Sequence, residues 1–298
     1  MVYVLIHRYP LSEFLFCGLE GVKPLLLPVV EKTSWPIRLL RRVEFYFGRN
    51  FNVDLFYNFF PAEIYRTLKK MKCSDSLIYV GESSQMCFIL SRICKNAGKK
   101  TAYFWNPCSS VNNCQKKIND MRQTEFDVAT FDLEDAKKFN LKFVGQLYRK
   151  QEKYECKEEY DFFFCGKDKG RKKFIERVKK LVTSLGKVEF IVPEKKDAFE
   201  YGEYIEKVKK SRILFDFVQK NQSGLTIRVM EALFFQKKLI TDNKHIANYD
   251  FFNISNILII DEKTSSDDIA KFMSTPFIPY KDSVLDSLTV ENVLKKMC

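Results

Sequence analysis

Two short stretches of the chain carry residues whose types and spacing suit chemistry on an anionic ligand. The first is Cys165-Gly166-Lys167-Asp168-Lys169-Gly170-Arg171. It follows the apolar run DFFFC and precedes a basic segment of helical period. Two glycines let the backbone approach a ligand, a helix start offers free N–H groups, and Lys167, Lys169 and Arg171 supply positive charge. The set suits a phosphate or diphosphate, with a solvated basic turn as the alternative. Neither G-x-x-x-x-G-K-[ST] nor G-x-G-x-x-G occurs there.

The second stretch runs Asn221-Gln222-Ser223-Gly224-Leu225-Thr226-Ile227-Arg228-Val229-Met230-Glu231-Ala232-Leu233, after the apolar run ILFDFV. Ser223 or Thr226 can cap the amphipathic helix that begins here, whose positive end then faces a ligand. Arg228 and Glu231 are three residues apart and share a face near the helix start. A carboxylate there can accept from both hydroxyls of a ribose while Arg228 and the free amides hold a diphosphate. The alternative is a near-neutral surface ion pair of i,i+3 spacing.

These loops need elements to position them. In the second half, apolar runs of three to six residues at 161–165, 188–192, 213–218, 239–241 and 257–260 alternate with helical patterns at 172–185, 201–210, 225–235 and 265–273. Strands apolar almost throughout belong in a parallel sheet covered on both faces, so a doubly wound α/β domain is expected. The first half repeats this less cleanly, with strands at 2–6, 25–27, 77–80, 102–105, 128–131 and 143–148, and helices at 84–97, 115–121 and 134–139. The polar stretch Tyr148–Tyr160 reads as a linker. The expected organisation is therefore two α/β domains, 1–152 and 153–298, with a C-terminal helix inside 284–297 that packs back on the first.

Composition bounds the function. The 298 residues are 46% hydrophobic, enough for two cores of ~150 residues each. The longest clean apolar stretches fall short of the ~20 residues of a membrane span, and MVYVLIHRYP lacks a signal-peptide pattern. Nine Cys without C-x-x-C and only two His exclude a His-rich metal site. They fit a reduced, cytoplasmic protein whose thiols are mostly core residues. The net charge of +12 invites nucleic acid, but the lysines are scattered in pairs such as Lys69-Lys70 and Lys209-Lys210, and no nucleic-acid module is present.

Asn221–Asn243, Tyr249–Phe252 and Asn256–Ile260, with CGKDKGR at Cys165–Arg171 and FDLEDAKKFNL at Phe131–Leu141, resemble a family of bacterial glycosyltransferase-like proteins of lipopolysaccharide and capsule biosynthesis. The similarity runs from the end of the first domain through most of the second and is weaker before residue 75. It implies a GT-B fold, two Rossmann-like domains facing a cleft, with an acceptor in the first and a nucleotide-sugar in the second. It implies a metal-independent Leloir glycosyltransferase without a cofactor, and no D-x-D stands at a strand end.

The resemblance carries Glu231 over to the ribose and places Gly166, Lys167 and Arg171 in the donor loop; Lys169, Gln222, Ser223, Gly224, Leu225, Thr226 and Arg228, read from residue type and position alone, complete the expected donor set. The base that deprotonates the acceptor is expected in the first domain. His7 and Glu82, each just past a strand, are the candidates, and Asp54 and Asp132 are also within reach. His245 reads as structural or as a donor contact. Two alternatives stand beside this reading: a non-catalytic nucleotide- or glycan-binding relative, and a basic nucleic-acid-binding protein.

Trp35–Arg49 adds a further element, a helix begun by Pro36 and ended near Gly48. Trp35, Leu39, Val43 and Tyr46 form one stripe, and Arg38, Arg41, Arg42 and Arg49 gather on another. The expectation is that the apolar stripe packs on its own domain. The alternative is peripheral contact with an anionic membrane, at the inner face of the cytoplasmic membrane.

Overall fold

The computed structural model describes residues 1–29, 34–51, 54, 56–151, 154–193, 200–219 and 222–298. The chain divides into two compact units, Met1–Val144 with Leu294–Cys298, and Gly145–Val293. Each is α/β with one parallel sheet flanked by helices, a Rossmann-like architecture.

Unit 1 runs β1 (Val2–His7), α1 (Pro10–Phe16), β2 (Val22–Leu27), α2 (Trp35–Asn50), α3 (Ala62–Lys69), β3 (Ser76–Val80), α4 (Ser84–Ile93), β4 (Lys99–Phe104), α5 (Cys114–Arg122), β5 (Asp127–Thr130), α6 (Leu133–Phe139) and β6 (Lys142–Phe143). Its six strands lie in the order β2-β1-β3-β4-β5-β6, paired parallel throughout. Leu5, Leu25, Leu77 and Phe104 belong to one core with Leu68, Ile89 and Ile118 of the covering helices.

Unit 2 runs β7 (Tyr160–Cys165), α7 (Lys172–Thr183), β8 (Val188–Ile191), α8 (Tyr201–Lys209), β9 (Ser211–Asp216), α9 (Ile227–Phe234), β10 (Lys238–Thr241), β11 (Ile257–Ile259), α10 (Ser266–Ser274), α11 (Asp282–Ser287) and α12 (Val290–Met297), whose last residues belong to unit 1. The sheet order is β11-β10-β9-β7-β8, again all parallel. Alternation explains why Phe162–Phe164 of DFFFC is apolar at successive positions. Phe162 and Phe164 join the core with Ile175, Val178 and Val182 of α7, while Phe163 meets Tyr204 of α8, ring centroids 5.7 Å apart. Each such phenylalanine contributes roughly 1.5–3 kcal/mol of transfer free energy.

Several expectations are revised. The strand expected at 143–148 ends at Phe143, because Gly145 takes φ +92° and turns the chain out of the sheet. The division falls at Val144/Gly145 rather than 152/153. Gln146 Nε2 donates to the Leu225 carbonyl at 2.9 Å and Val290 N donates to the Tyr148 carbonyl at 2.6 Å, tying the start of the expected linker into unit 2. Tyr154 Oη also donates to the Phe235 carbonyl at 3.1 Å; residues 152 and 153 of that stretch lie outside the described residues. The C-terminal segment is two helices. In unit 1 the Thr101 hydroxyl donates to the Met297 carbonyl at 2.8 Å.

A further revision concerns α2. Its apolar stripe does not pack on unit 1 but faces outward, with Trp35 67% exposed. The thiols also divide differently from expectation: Cys87, Cys94, Cys108 and Cys114 are buried, whereas Cys17, Cys73, Cys156 and Cys298 are exposed. Among the described residues no helix is long and apolar enough to cross a membrane.

Candidate functional site

Each sheet has a point where successive crossovers leave in opposite directions, and in open α/β sheets ligands bind there, beyond the carboxyl ends of the strands. In unit 2 that point lies between β7 and β9, since β8 follows β7 on one side and β9 lies on the other. The two loops singled out by residue type flank it: Cys165–Arg171 leaves β7, and the segment after β9 leads into α9.

The geometry there is built around cations. Arg171 Nη1 and Arg228 Nη2 both donate to the Phe217 carbonyl, the latter at 3.2 Å. Arg171 Nη2 also donates to the Lys167 carbonyl at 2.7 Å. The Arg228 guanidinium lies 5.7 Å from the centroid of the Phe164 ring. It also passes over Gly166, where a Cβ would stand 3.2 Å from Nη1. Lys169 is held at φ +46° and Gly170 at φ +81°, a tight turn that carries an exposed lysine. Partial desolvation of its ammonium by the surrounding loop, then the charges of Arg171, Arg228 and Lys167, lower the Lys169 pKa. Burial and Arg228 likewise lower that of Arg171.

One buried carboxylate anchors the set. Asp216, at the end of β9 and fully buried, accepts from Arg228 Nε at 3.1 Å, the Thr226 hydroxyl at 2.7 Å and the Thr241 hydroxyl at 3.2 Å. Burial works against the Arg228 charge, but Asp216, Tyr204 and Glu231 together outweigh it and the pKa is raised. Asp242 accepts from Val218 N at 2.8 Å, and burial pushes its carboxyl up to about 6.

Thr226, not Ser223, is the cap of α9, accepting from Val229 N at 3.4 Å. Ser223, Gly224 and Leu225 are buried, and their carbonyls are tied down. Asn243 Nδ2 reaches the first at 3.2 Å and the second at 3.5 Å, and Gln146 Nε2 reaches the third. Gln222 is half-buried, and its Nε2 donates to the Gly224 carbonyl at 3.5 Å. Asn221 lies outside the described residues. The loop thus fixes the start of α9, whose first amides have no intrahelical acceptor.

Glu231 departs from the role expected for it. It is fully buried, its Oε1 accepts from the Tyr201 hydroxyl at 3.1 Å and its Oε2 from the Tyr204 hydroxyl. The Tyr201 hydroxyl lies 3.1 Å from that of Tyr148. Burial pushes the carboxyl up to about 8, against the pull of Tyr204 and Arg228. In this conformation the carboxylate is not presented to a ribose. Nor do Arg228 and Glu231 pair, since Arg228 is taken by Asp216.

In unit 1 the corresponding point lies between β1 and β3. A cavity of about 940 Å³ opens there, lined by His7, Tyr9, Glu82, Trp105, Asn106 and Lys117 among others. It brings together His7 and Glu82, which are 75 positions apart in sequence. Glu82 Oε1 accepts from Asn106 N at 3.2 Å and Nδ2 at 2.9 Å, which fixes the carboxylate. His7 is exposed, its ring centroid 6.4 Å from that of Tyr9.

The other candidates are placed elsewhere. Asp132 is buried and caps α6, accepting from Glu134 N at 3.0 Å and Asp135 N at 3.2 Å. Asp54 is ion-paired to Arg92 at 3.2 Å and Lys95 at 2.5 Å. His245 is exposed on a 3-10 turn. Among the described residues, no three His, Cys, Asp or Glu side chains group so as to hold a metal ion.

Residue types alone missed Asp216, Asp242, Tyr201 and Tyr204. A signal for the first was present: a charged residue in the apolar run ILFDFV must be paired if it is buried. No family model matches the chain, and no curated protein matches it.

Proposed function

We propose that this chain is a glycosyltransferase of the GT-B type, moving a sugar from a nucleotide-sugar to a hydroxyl of a surface-glycan acceptor. The observation that carries the ligand half is the sharing of the Phe217 carbonyl by Arg171 and Arg228. Two guanidinium groups converge on one acceptor at a switch point, with Lys167 and Lys169 on the adjoining loop. A diphosphate relieves their mutual repulsion and accepts from the first amides of α9. The reaction class is supported by the resemblance of Cys165–Arg171 and Asn221–Asn243 to the bacterial surface-glycan family.

In this reading the bond from the anomeric carbon to the diphosphate oxygen breaks, and the leaving charge settles on Lys167, Lys169, Arg171 and Arg228. The acceptor oxygen forms the new bond to that carbon and gives its proton to a base. Glu82 suits that role, because Asn106 holds one carboxylate oxygen. The cavity it lines takes the acceptor.

Thermal unfolding in the presence of nucleoside diphosphates and sugar nucleotides tests the proposal. A ligand at about 100 times its Kd adds ~2.7 kcal/mol, several degrees in Tm. The expected result is a shift with one nucleotide class, reduced in Lys167→Ala/Lys169→Ala. No shift with any of them sinks the site. Binding without transfer, across a broad set of acceptors, leaves the ligand site standing and removes the transferase.

A further inference from the structure

Helix α2 stands with its apolar side outward. Over Trp35–Asn50, the residues turned toward unit 1 are Arg41, Glu44, Phe45 and Gly48, a strip of three- and four-residue spacing. Polar contacts hold it. Arg41 Nε donates to the Asn58 carbonyl at 2.7 Å, and Glu44 Oε1 accepts from Asn58 Nδ2 at 2.6 Å. Phe45 meets Phe88 edge-on, centroids 5.7 Å apart. The opposite face carries Trp35, Leu39, Leu40, Val43, Tyr46 and Phe47, each between 43% and 67% exposed. An ordinary surface helix is arranged the other way round, apolar side in.

Charge is distributed just as unevenly. Arg38, Arg42 and Arg49 are exposed along one flank of the apolar face. The helix holds a single carboxylate, Glu44, and it is turned inward onto Asn58. The outward surface is therefore apolar and cationic, with no acid of its own. Arg49 also lines a cavity of about 810 Å³ with Arg92, Lys95 and Lys116, facing Asp120 and Glu125.

We propose that this face of α2 docks on an anionic phospholipid bilayer. The aromatic and aliphatic side chains enter the boundary between headgroups and acyl chains, and Arg38, Arg42 and Arg49 meet the phosphates. Tryptophan and tyrosine favour that boundary because each pairs an apolar ring with a polar tip. The cationic flank selects the anionic surface over a neutral one, and it opposes the close approach of a second copy bearing the same charges. The inference is independent of the ligand site in unit 2.

Flotation of the full chain with vesicles of phosphatidylcholine alone, or mixed with phosphatidylglycerol, tests it. The chain is expected to float with the anionic vesicles, at least tenfold more than with the neutral ones, and to be released by salt. Replacing Arg38, Arg42 and Arg49 by Ser lowers the partition about fivefold per arginine, ~100-fold together. Leu39→Ser/Val43→Ser/Tyr46→Ser removes binding to either vesicle. These side chains are exposed, so the far-ultraviolet dichroism stays unchanged; should that variant unfold, the arginine series carries the test alone. Equal partition onto both vesicles, or none, overturns the proposal. So does lipid-free self-association that the Leu39, Val43 and Tyr46 changes abolish, which assigns the face to a second copy.

Discussion

Arg171, before α7, and Arg228, in the first turn of α9, are 57 positions apart in sequence and donate to one carbonyl oxygen, that of Phe217. Asp216 balances Arg228, and Arg171 with Lys167 and Lys169 leaves a local excess of positive charge that attracts an anion. Pyrophosphate is expected to raise the Tm by several degrees more than sodium chloride of equal ionic strength. An equal effect of the two salts removes this pair of loops as an anion site.

The Arg228 guanidinium rests on Asp216, which is fully buried. Asp216→Asn keeps the shape and leaves the guanidinium without its counter-charge, so a loss of about 3 kcal/mol is expected in urea unfolding. A loss below ~1 kcal/mol contradicts the anchoring role.

Lys169 occupies left-handed backbone at φ +46°. Lys169→Gly removes that strain together with the charge, so stability is retained or rises by up to ~1 kcal/mol while nucleotide binding weakens. The pKa of Lys169 is lowered, and a bound diphosphate raises it, so binding takes up protons at alkaline pH. Calorimetry in buffers of different ionisation enthalpy reads this uptake. Its absence at every pH up to 10 contradicts contact between the ligand and Lys169.

Glu231 has its carboxyl pushed up to about 8 by burial. A folded-state value above the unfolded one means that the folded chain holds the proton more tightly. The contribution is present in full below about pH 4.5 and is lost as pH rises toward 8, with a slope approaching ~1.4 kcal/mol per pH unit. Glu231→Gln cannot ionise and is expected to flatten the unfolding free energy over that range. Parallel pH profiles for the two proteins refute the assignment.

Glu82 is held by Asn106, and a glutamine at 82 still offers an oxygen to both Asn106 donors. Glu82→Gln is therefore expected to leave folding and donor binding intact and to lower turnover by about 10²–10⁴-fold. If His7→Ala gives the larger loss and Glu82→Gln little, the base is His7.

The alternating apolar runs determine the α/β class and the approximate place of most strands and helices, because those signals are local. Strands apolar on both faces, such as DFFFC, must lie inside a covered sheet wherever they fall. The loops Cys165–Arg171 and Gln222–Arg228 are legible for the same reason: glycine, cation and cap preferences act over a few residues. What those side chains meet is decided across the sheet. Placing β7 between β9 and β8 brings Arg171 to Arg228, and placing β1 beside β3 brings His7 and Glu82 to one cavity.

Glu231 and α2 show the limit from opposite sides. A glutamate at a helix start reads as exposed until Tyr201 and Tyr204 of α8 close over it. The stripe of Trp35, Leu39, Val43 and Tyr46 reads as core until the polar contacts of Arg41 and Glu44 with Asn58 turn it outward. Periodicity tells which residues share a face. Only long-range packing decides which way that face looks.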